Sequence, residues 1–288
     1  MGNHSSFKVV TAQPESLPRV FNPVRLGRML WAHRNLIRQL TWWDVASRYK
    51  GSYLGLLWSL LNPLLLLAIF TFVFSVIFQA KWGVSASESR LEFALTLFCG
   101  LAVFNFFSES LSRAPGAILA HPNYVKKTPF PLEIIPLANV LSALFHMLIS
   151  LGILILGVLI FMRIFPWTLV FVPILLFFLL SLTLGLTWLI SSLGVFIRDM
   201  NYAVGFLTAA LLFLSPIFFP INAVPKDFQV IMLGNPLSAY MEASRRIFLW
   251  GQPPDWLWLG EVGLFSFAVL IFGYGFFMKS KRAFADVI

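Results

Sequence analysis

The chain has 288 residues, of which 59% are hydrophobic and only 11% are charged, and its mean hydropathy is +0.83. An average soluble protein is about 45–50% apolar and about 25% charged, so this composition excludes a soluble enzyme, a disordered chain and a secreted disulfide scaffold. The single cysteine, Cys99, excludes an intrachain disulfide and a cysteine-based metal cluster. The net charge of +9 would suggest nucleic-acid binding in a soluble protein, but in a membrane protein it is expected to face the cytoplasm. The sequence therefore predicts an all-α integral membrane protein that binds no nucleic acid.

Residues 1–52 form a predicted cytoplasmic N-terminus that contains an amphipathic helix. Apolar side chains recur on one face of this helix, and arginines occupy the other face. The apolar face consists of Leu26, Met29, Leu30, His33, Leu36, Ile37, Leu40 and Trp43. We expect the helix to lie in the cytoplasmic membrane interface with its arginines towards anionic lipid. The alternative is a peripheral helix packed on a soluble part of the protein.

Six charge-poor stretches are long enough to cross a membrane, which takes about 20 residues in a helix. They are residues 53–79, 93–112, 134–162, 164–197, 200–225 and 256–278. Of the 21 lysines and arginines, 15 fall on the side of the two termini, so the positive-inside rule places both termini in the cytoplasm. We expect one six-span domain over residues 53–278, with span one interrupted at Asn62 and Pro63, and a cytoplasmic tail at residues 279–288.

The stretch before the last span is rich in proline and reads as two short helices. One is predicted from about Pro225 to Leu233, and the other begins with Asn235 as its cap and ends near Trp250. Because each is too short to span, we expect a re-entrant hairpin over about residues 220–254. An ordinary extracellular loop is the alternative.

Few groups in the sequence can carry chemistry. The chain has no G-x-x-x-x-G-K-[ST] loop, so we expect no nucleotide, metal or other cofactor in this chain and no ATP hydrolysis by it alone. Glu109 and Arg113 stand four residues apart in span two, which predicts an ion pair between them. The lone histidine of span three, His146, is expected to be a packed or hydrogen-bonding residue rather than a catalyst.

Aromatic residues are abundant: the chain has 31 phenylalanines, 10 tryptophans and 6 tyrosines. Many of them face lipid in any membrane protein, and that is the alternative reading here. A row of rings can also hold the apolar faces of sugars weakly at many points, which lets a polymer slide. The candidate channel residues are Tyr53, Trp58, Asn62, Phe70, Phe206, Phe213 and Phe218.

Four motifs in a fixed order relative to the spans point to a known family. They are Arg48-Tyr49-Lys50-Gly51-Ser52-Tyr53-Leu54-Gly55 with Trp58 and Asn62-Pro63, His121-Pro122-Asn123-Tyr124-Val125-Lys126-Lys127 with Phe130-Pro131-Leu132-Glu133, Arg198-Asp199 with Leu214-Ser215-Pro216-Ile217-Phe218-Phe219-Pro220, and Asn235-Pro236-Leu237 with Arg245. With these motifs the chain resembles the membrane subunit of ABC-2-type polysaccharide exporters, and most closely the O-antigen export permeases of Gram-negative bacteria.

The resemblance implies a permease of the bacterial inner membrane that pairs with a second copy of itself and with two copies of an ABC ATPase. The ATPase would bind ATP and Mg²⁺, and its contact on this chain would be His121, Asn123, Tyr124, Lys126 and Lys127. The substrate would be a lipid-linked polysaccharide, exported from cytoplasm to periplasm. A basic rim would attract the pyrophosphate of its lipid carrier, through Arg28, Arg34, Arg38, Arg48 and Lys50. The alternative is that these residues only follow the positive-inside rule and bind anionic lipid. Other exports in the same superfamily, of capsule, teichoic acid, lipid or drug, remain alternatives; an intramembrane enzyme or a secondary transporter fits less well.

Overall fold

The computed structural model describes residues 23–77, 82, 90–126, 130–163 and 165–288, and this part of the chain is helical without any strand. The all-α prediction is therefore confirmed for the described residues. The α-helices, numbered in chain order, are α1 (Pro23–Ala32), α2 (Arg34–Tyr49), α3 (Trp58–Phe70), α4 (Arg90–Arg113), α5 (Pro122–Lys126), α6 (Ile134–Gly157), α7 (Val172–Phe196), α8 (Met200–Phe213), α9 (Lys226–Gly234), α10 (Pro236–Phe248), α11 (Trp256–Ser280) and α12 (Phe284–Val287).

Four helical segments of the described chain are long and apolar enough to cross a membrane. They are Arg90–Arg113, Ile134–Met162, Trp167–Phe196 and Trp256–Val287. Each is a candidate span by its length and its apolar composition. Two further apolar helices, Trp58–Val73 and Met200–Phe213, are shorter. At 1.5 Å per residue, the 14 residues of α8 reach only about 21 Å. The six-span count therefore stays a prediction.

The predicted interruption of span one at Asn62 and Pro63 is wrong. Helix α3 continues through Pro63 to Phe70 and is followed by a π-helical segment, Thr71–Ile77. A proline removes one hydrogen-bond donor from a helix, but membrane helices tolerate it because neighbouring groups and local adjustments satisfy the freed carbonyl. Asn62 thus stands on a continuous helix.

Helix α4 forms the centre of the bundle. It contacts α3, α6, α7, α8 and α10, and most of its side chains are buried, from Phe93 to Leu111. Asn105 is an exception, since it is exposed between the buried Phe104 and Phe106. Helix α4 is therefore enclosed by five other helices.

Helices α7 and α11 form the most extensive helix pair, and glycines allow their backbones to meet. A Cβ atom added to Gly273 would lie 2.0 Å from the carbonyl oxygen of Gly185, and one added to Gly185 would lie 2.5 Å from that of Val269. Small residues at such crossings are the usual means by which membrane helices approach closely. This contact fixes the last span against the middle of the domain.

The amphipathic N-terminal region is helical but bent, since α1 ends before His33 and α2 begins after it. Ile37 and Val45 are buried against the bundle, and α2 packs along α6. Trp31, Trp42 and Trp43 are exposed. Much of the apolar face thus packs against a span, whereas the sequence predicted that it would contact lipid or a soluble part of the protein. The position of α1 and α2 in a membrane interface stays a prediction.

The two short helices before the last span are confirmed close to their predicted ends. They are α9 and α10, and the Asn235 side chain caps α10 by accepting a hydrogen bond from the backbone N–H of Leu237 at 3.0 Å. The Asn235 amide also donates to the Ser215 hydroxyl at 2.9 Å. The re-entry of α9 and α10 into a membrane stays a prediction.

The C-terminal tail packs back onto the bundle. Lys281 forms an ion pair with the buried Glu133, with 2.7 Å between Nζ and Oε2. Phe284 of α12 is fully buried against the rings of Phe196 and Phe277. The tail therefore lies against the turn that leads into α6.

Candidate functional site

An ion-pair cluster joins α2 to α4. Arg113 binds both carboxylate oxygens of Asp44, at 2.5 and 2.8 Å, and Arg48 forms an ion pair with Glu109. The predicted pair between Glu109 and Arg113 is therefore wrong. The spacing does place both residues towards α2, but α2 offers each of them a partner of opposite charge, so they pair across helices instead.

His146 of α6 completes this cluster as a hydrogen-bonding residue. Its Nε2 lies 2.9 Å from the hydroxyl of Tyr49, and its Nδ1 lies 3.1 Å from Nη1 of Arg48 and 3.3 Å from Oε1 of Glu109. The cluster, which we define as Asp44, Arg48, Tyr49, Glu109, Arg113 and His146, thus joins three helices. It holds the N-terminal helix against the spans.

The carboxyl group of Asp44 is ionised within this cluster. Burial disfavours its charged form, but the hydrogen bonds and the positive charge of Arg113 outweigh burial and lower the pKa of Asp44 below its ordinary value. Arg48, whose Nη2 lies 3.4 Å from Asp44 Oδ2, adds to this effect. The link between α2 and α4 therefore carries full charge at neutral pH.

A cavity of about 510 Å³ opens beside the cluster, between α2, α3, α4 and α6. Two predicted channel residues, Trp58 and Asn62, line it from α3. Asn105 and Ser108 line it from α4, and Ser150 lines it from α6. Two of the predicted channel residues thus lie beside the cluster, within a single chain.

Other predicted channel residues form a second, separate group. The ring centroid of Phe218 lies 5.4 Å from that of Phe70 and 6.2 Å from that of Phe213, which brings α3 and the end of α8 together. Phe206 and Tyr53 are highly exposed and stand apart from these rings. The seven candidates therefore do not form one continuous lining within a single chain.

The predicted ATPase contact is a compact turn around the five-residue helix α5. His121 and Tyr124 have ring centroids 5.6 Å apart, and the Tyr124 ring stacks on Phe130 at 4.4 Å. Asn123 and Lys126 are exposed, whereas Lys127 lies outside the described residues. Burial lowers the pKa of His121, so this side chain is neutral at cytoplasmic pH.

This turn borders a second cavity, of about 590 Å³, whose other wall is α2. His121, Asn123 and Tyr124 line one side, and Gln39 and Trp43 line the other. The predicted contact residues and the N-terminal helix therefore share one surface.

The predicted basic rim divides into two kinds of residue. Arg28, Arg34, Arg38 and Lys50 are exposed on α1, α2 and the turn after α2, and Arg34 also donates to the carbonyl of Trp31 at 3.0 Å. Arg48 is different, because its guanidinium contacts two carboxylates in the cluster. No carboxylate in the part of the chain that the structure describes pairs with the first four, so a free anion could reach them there.

Arg245 has a structural importance that its membership of a motif did not reveal. Its side chain is fully buried, donates to the carbonyls of Thr96 and Pro216 at 3.2 and 2.7 Å, and lies over the ring of Trp82 at 4.1 Å. It thereby ties α10 to α4 and to the break after α8. The local sequence pattern that could have pointed to Arg245 was a basic residue in a proline-rich stretch. The same pattern is expected in an extracellular loop.

Comparison with known proteins identifies the family of the chain. A family model described as ABC-2 type transporter matches residues 35–249. The chain is 26% identical to an O-antigen export system permease protein RfbA of Myxococcus xanthus over 92% of this chain and 100% of that protein, and 28% identical to one of Klebsiella pneumoniae over 85% and 92%. It is 26% identical to the polysialic acid transport protein KpsM of Escherichia coli over 83% of this chain and 91% of that protein. Since the family match covers well over half of the residues, the chain belongs to the ABC-2 type transporter family.

Proposed function

We propose that this chain is the permease subunit of an ABC transporter that exports a lipid-linked polysaccharide of the O-antigen type from the cytoplasm to the periplasm. The observation that carries the proposal is the extent of the similarity to O-antigen permeases, which covers nearly all of this chain and of theirs. The similarity is not confined to one span or motif, so the proposal applies to the chain as a whole.

A separate ATPase drives this transport, because the sequence lacks a phosphate-binding loop. Two copies of the ATPase bind two copies of the permease, at the turn that contains His121, Asn123, Tyr124, Lys126 and Lys127. Two observations support this role: residues 114–120 connect the turn to Arg113 along the chain, and Arg113 is joined to α2 through Asp44. Movement of the turn would therefore displace α2 and α4 together. Both termini of the chain lie in the cytoplasm of the bacterium.

The polymer passes between the two permease copies, along α3 and α8. These two helices expose large apolar side chains, including Leu65, Ile69, Phe206 and Phe213. Removing water from a sugar hydroxyl costs several kcal/mol when no other hydrogen bond replaces it. Stacking of the sugar on aromatic rings offsets about 1–3 kcal/mol for each ring, by analogy with bases stacked on aromatic side chains. Water in a wide pore supplies further hydrogen bonds.

The carrier pyrophosphate meets the exposed basic residues at the cytoplasmic side. Arg28, Arg34, Arg38 and Lys50 support this role through their exposure. Arg48 supports it less, since it would have to leave Glu109 and Asp44 first.

Export of a capsular polysaccharide is the second candidate function. The similarity to a polysialic acid transport protein over 83% of this chain favours it. Both candidates share the substrate class, a polymer of sugars, and differ in what the polymer becomes at the cell surface.

Deletion of the gene and complementation test the proposed function. Cells without the chain should lose long-chain polysaccharide from the surface and accumulate it inside, as seen by gel analysis of lipopolysaccharide and by fractionation, and the wild-type gene should restore it. Phe213→Ala should restore export only in part while still assembling with the ATPase. The matched control is Phe272→Ala, an exposed ring on α11, which should restore export fully. Unchanged surface polysaccharide in the deletion strain would refute the proposal.

A further inference from the structure

The cavity beside the ion-pair cluster has the size of a ligand site. Its volume of about 510 Å³ falls within the range of about 300–1,000 Å³ that is typical of small-molecule sites. It opens between α3 and α4, on the path between the predicted cytoplasmic end of the bundle and its interior. A single sugar ring with its water fits this space, whereas a folded domain does not.

The lining is unusually polar for a wall between membrane helices. Asn105 is exposed to this cavity from the middle of α4, between two buried phenylalanines, and it forms no side-chain hydrogen bond with any other residue that the structure describes. Asn62, on α3, is exposed to the same space. Each amide offers two donors and an acceptor, and polar groups at this depth are costly unless something satisfies them. Two amides facing one cavity therefore indicate a polar occupant.

The charges around the cavity balance. Of the ion-pairing arginines and carboxylates of the cluster, only Arg48 and Glu109 line the cavity, and they pair with each other. A phosphate or pyrophosphate entering here would meet a cation that is already paired and would face the Glu109 carboxylate. The wall thus favours a neutral ligand over an anion.

One aromatic face completes the lining. Trp58 of α3 stands on the same wall as Asn62, so a ring and an amide are presented together. An aromatic ring binds the apolar C–H face of a sugar, while amides and hydroxyls bind its hydroxyl groups. A neutral sugar presents both kinds of surface at once.

We propose that this cavity, lined by Trp58, Asn62, Asn105, Ser108 and Ser150, binds one neutral sugar residue within each protomer. This inference rests on the proposed function for the identity of the polymer, but it places a subsite inside one chain rather than at the junction of two copies. The cluster forms the floor of the subsite, so a sugar in the cavity lies beside the link between α2 and α4.

Saturation-transfer NMR on the permease–ATPase complex in lipid nanodiscs tests the subsite. The probes are glucose, galactose, mannose, rhamnose and N-acetylglucosamine, with inorganic pyrophosphate followed by phosphorus line broadening. At least one sugar should receive saturation from the wild-type complex. Asn105→Ala should weaken the binding of that sugar by about five- to ten-fold, as expected for one lost hydrogen bond. Asn105→Trp should abolish the binding, because the larger side chain fills the cavity. The matched control, Asn201→Trp, changes an exposed asparagine on α8 and should leave binding unchanged.

The outcomes separate the subsite from the proposed function. No transfer to any sugar, equal transfer in the wild type and in Asn105→Trp, or pyrophosphate binding that Asn105→Trp abolishes would each overturn the subsite, even if the deletion strain shows that the chain exports polysaccharide. Surface polysaccharide that survives deletion would overturn the proposed function, while the NMR result would still decide whether the cavity binds sugar.

Discussion

The buried guanidinium of Arg245 donates to backbone carbonyls of two other segments. The carbonyl of Pro216 lies in the irregular segment after α8, and Arg245 Nη2 is 2.7 Å from it. The contact with Trp82 adds an attraction between a cation and a ring, which grows stronger when both are shielded from water. One side chain therefore fixes the position of three segments of the chain.

Arg245→Ala should lower the thermal unfolding midpoint of the detergent-solubilised protein. The carbonyl of Pro216 loses its donor, which costs about 1–3 kcal/mol, and the deleted side chain leaves a void, so we expect a loss of several kcal/mol. Arg246→Ala is the control, since Arg246 is partly exposed and donates from Nε only to the carbonyl of Pro253. Equal midpoints for the two variants would contradict the role given to Arg245.

Asp44 should make stability depend on pH in acid. Its pKa is lower in the folded protein than the ordinary 3.8, so its ion pair stabilises the fold above that value and the stabilisation is lost as the pH falls through the folded pKa. Asp44→Asn should therefore be less stable than the wild type at neutral pH, and the difference should shrink in acid below 3.8. Melting curves over a pH series measure this difference.

Asp199→Asn provides the comparison for that series. Asp199 is exposed and its side chain makes no capping bond at the start of α8. We expect its difference from the wild type to be small at every pH. A difference for Asp44→Asn that stays constant down to strong acid would show that the carboxylate is not held ionised by Arg113.

At the scale of helices, the contact between α7 and α11 leaves no room for a methyl group. Gly273→Ala places a Cβ against the backbone of Gly185, which cannot rotate away as a side chain can. Overpacking of this kind costs about 1–3 kcal/mol, so the variant should unfold at a lower temperature in detergent. Gly152→Ala on α6 is the matched control, because nothing lies within 4 Å of its added Cβ.

The control should move in the opposite direction. Alanine is favoured over glycine in a helix interior by about 1 kcal/mol, so Gly152→Ala should be neutral or slightly stabilising. A drop of equal size in both variants would mean that helix flexibility, rather than the crossing of α7 and α11, determines the effect.

Local signals in the sequence predicted the elements better than the contacts between them. Asn235 followed by Pro236 is a complete helix start, with a side-chain cap and a preset backbone angle, and the structure begins α10 there. The same kind of local rule failed at Glu109 and Arg113. Their spacing is correct for a pair, but the partners that α2 supplies lie more than 60 residues away in the chain, and no local pattern announces them.

For the whole molecule, hydropathy predicted an all-helical membrane protein but not which helix lies at its centre. Charge-poor stretches look alike whether their side chains meet lipid or other helices, since both surroundings are apolar. Trp58 and Asn62 of the candidate site were identifiable from composition and family motif. Asn105 was not, because its exposure depends on where α3 and α6 leave a gap beside α4.

The enclosure of α4 also bears on how the protein enters the membrane during synthesis. This helix is less apolar than α6 and α7, and it carries Glu109 and Asn105 into the bilayer. Arg48 is made before Glu109, so the ribosome has already delivered a cation for that carboxylate when α4 emerges. The helices α6 and α7, however, are made afterwards. Until they arrive, α4 would expose polar groups to hydrocarbon, where nothing replaces their bonds to water. Helix α6 therefore brings Glu109 a hydrogen-bonding partner, His146, that is absent when α4 emerges.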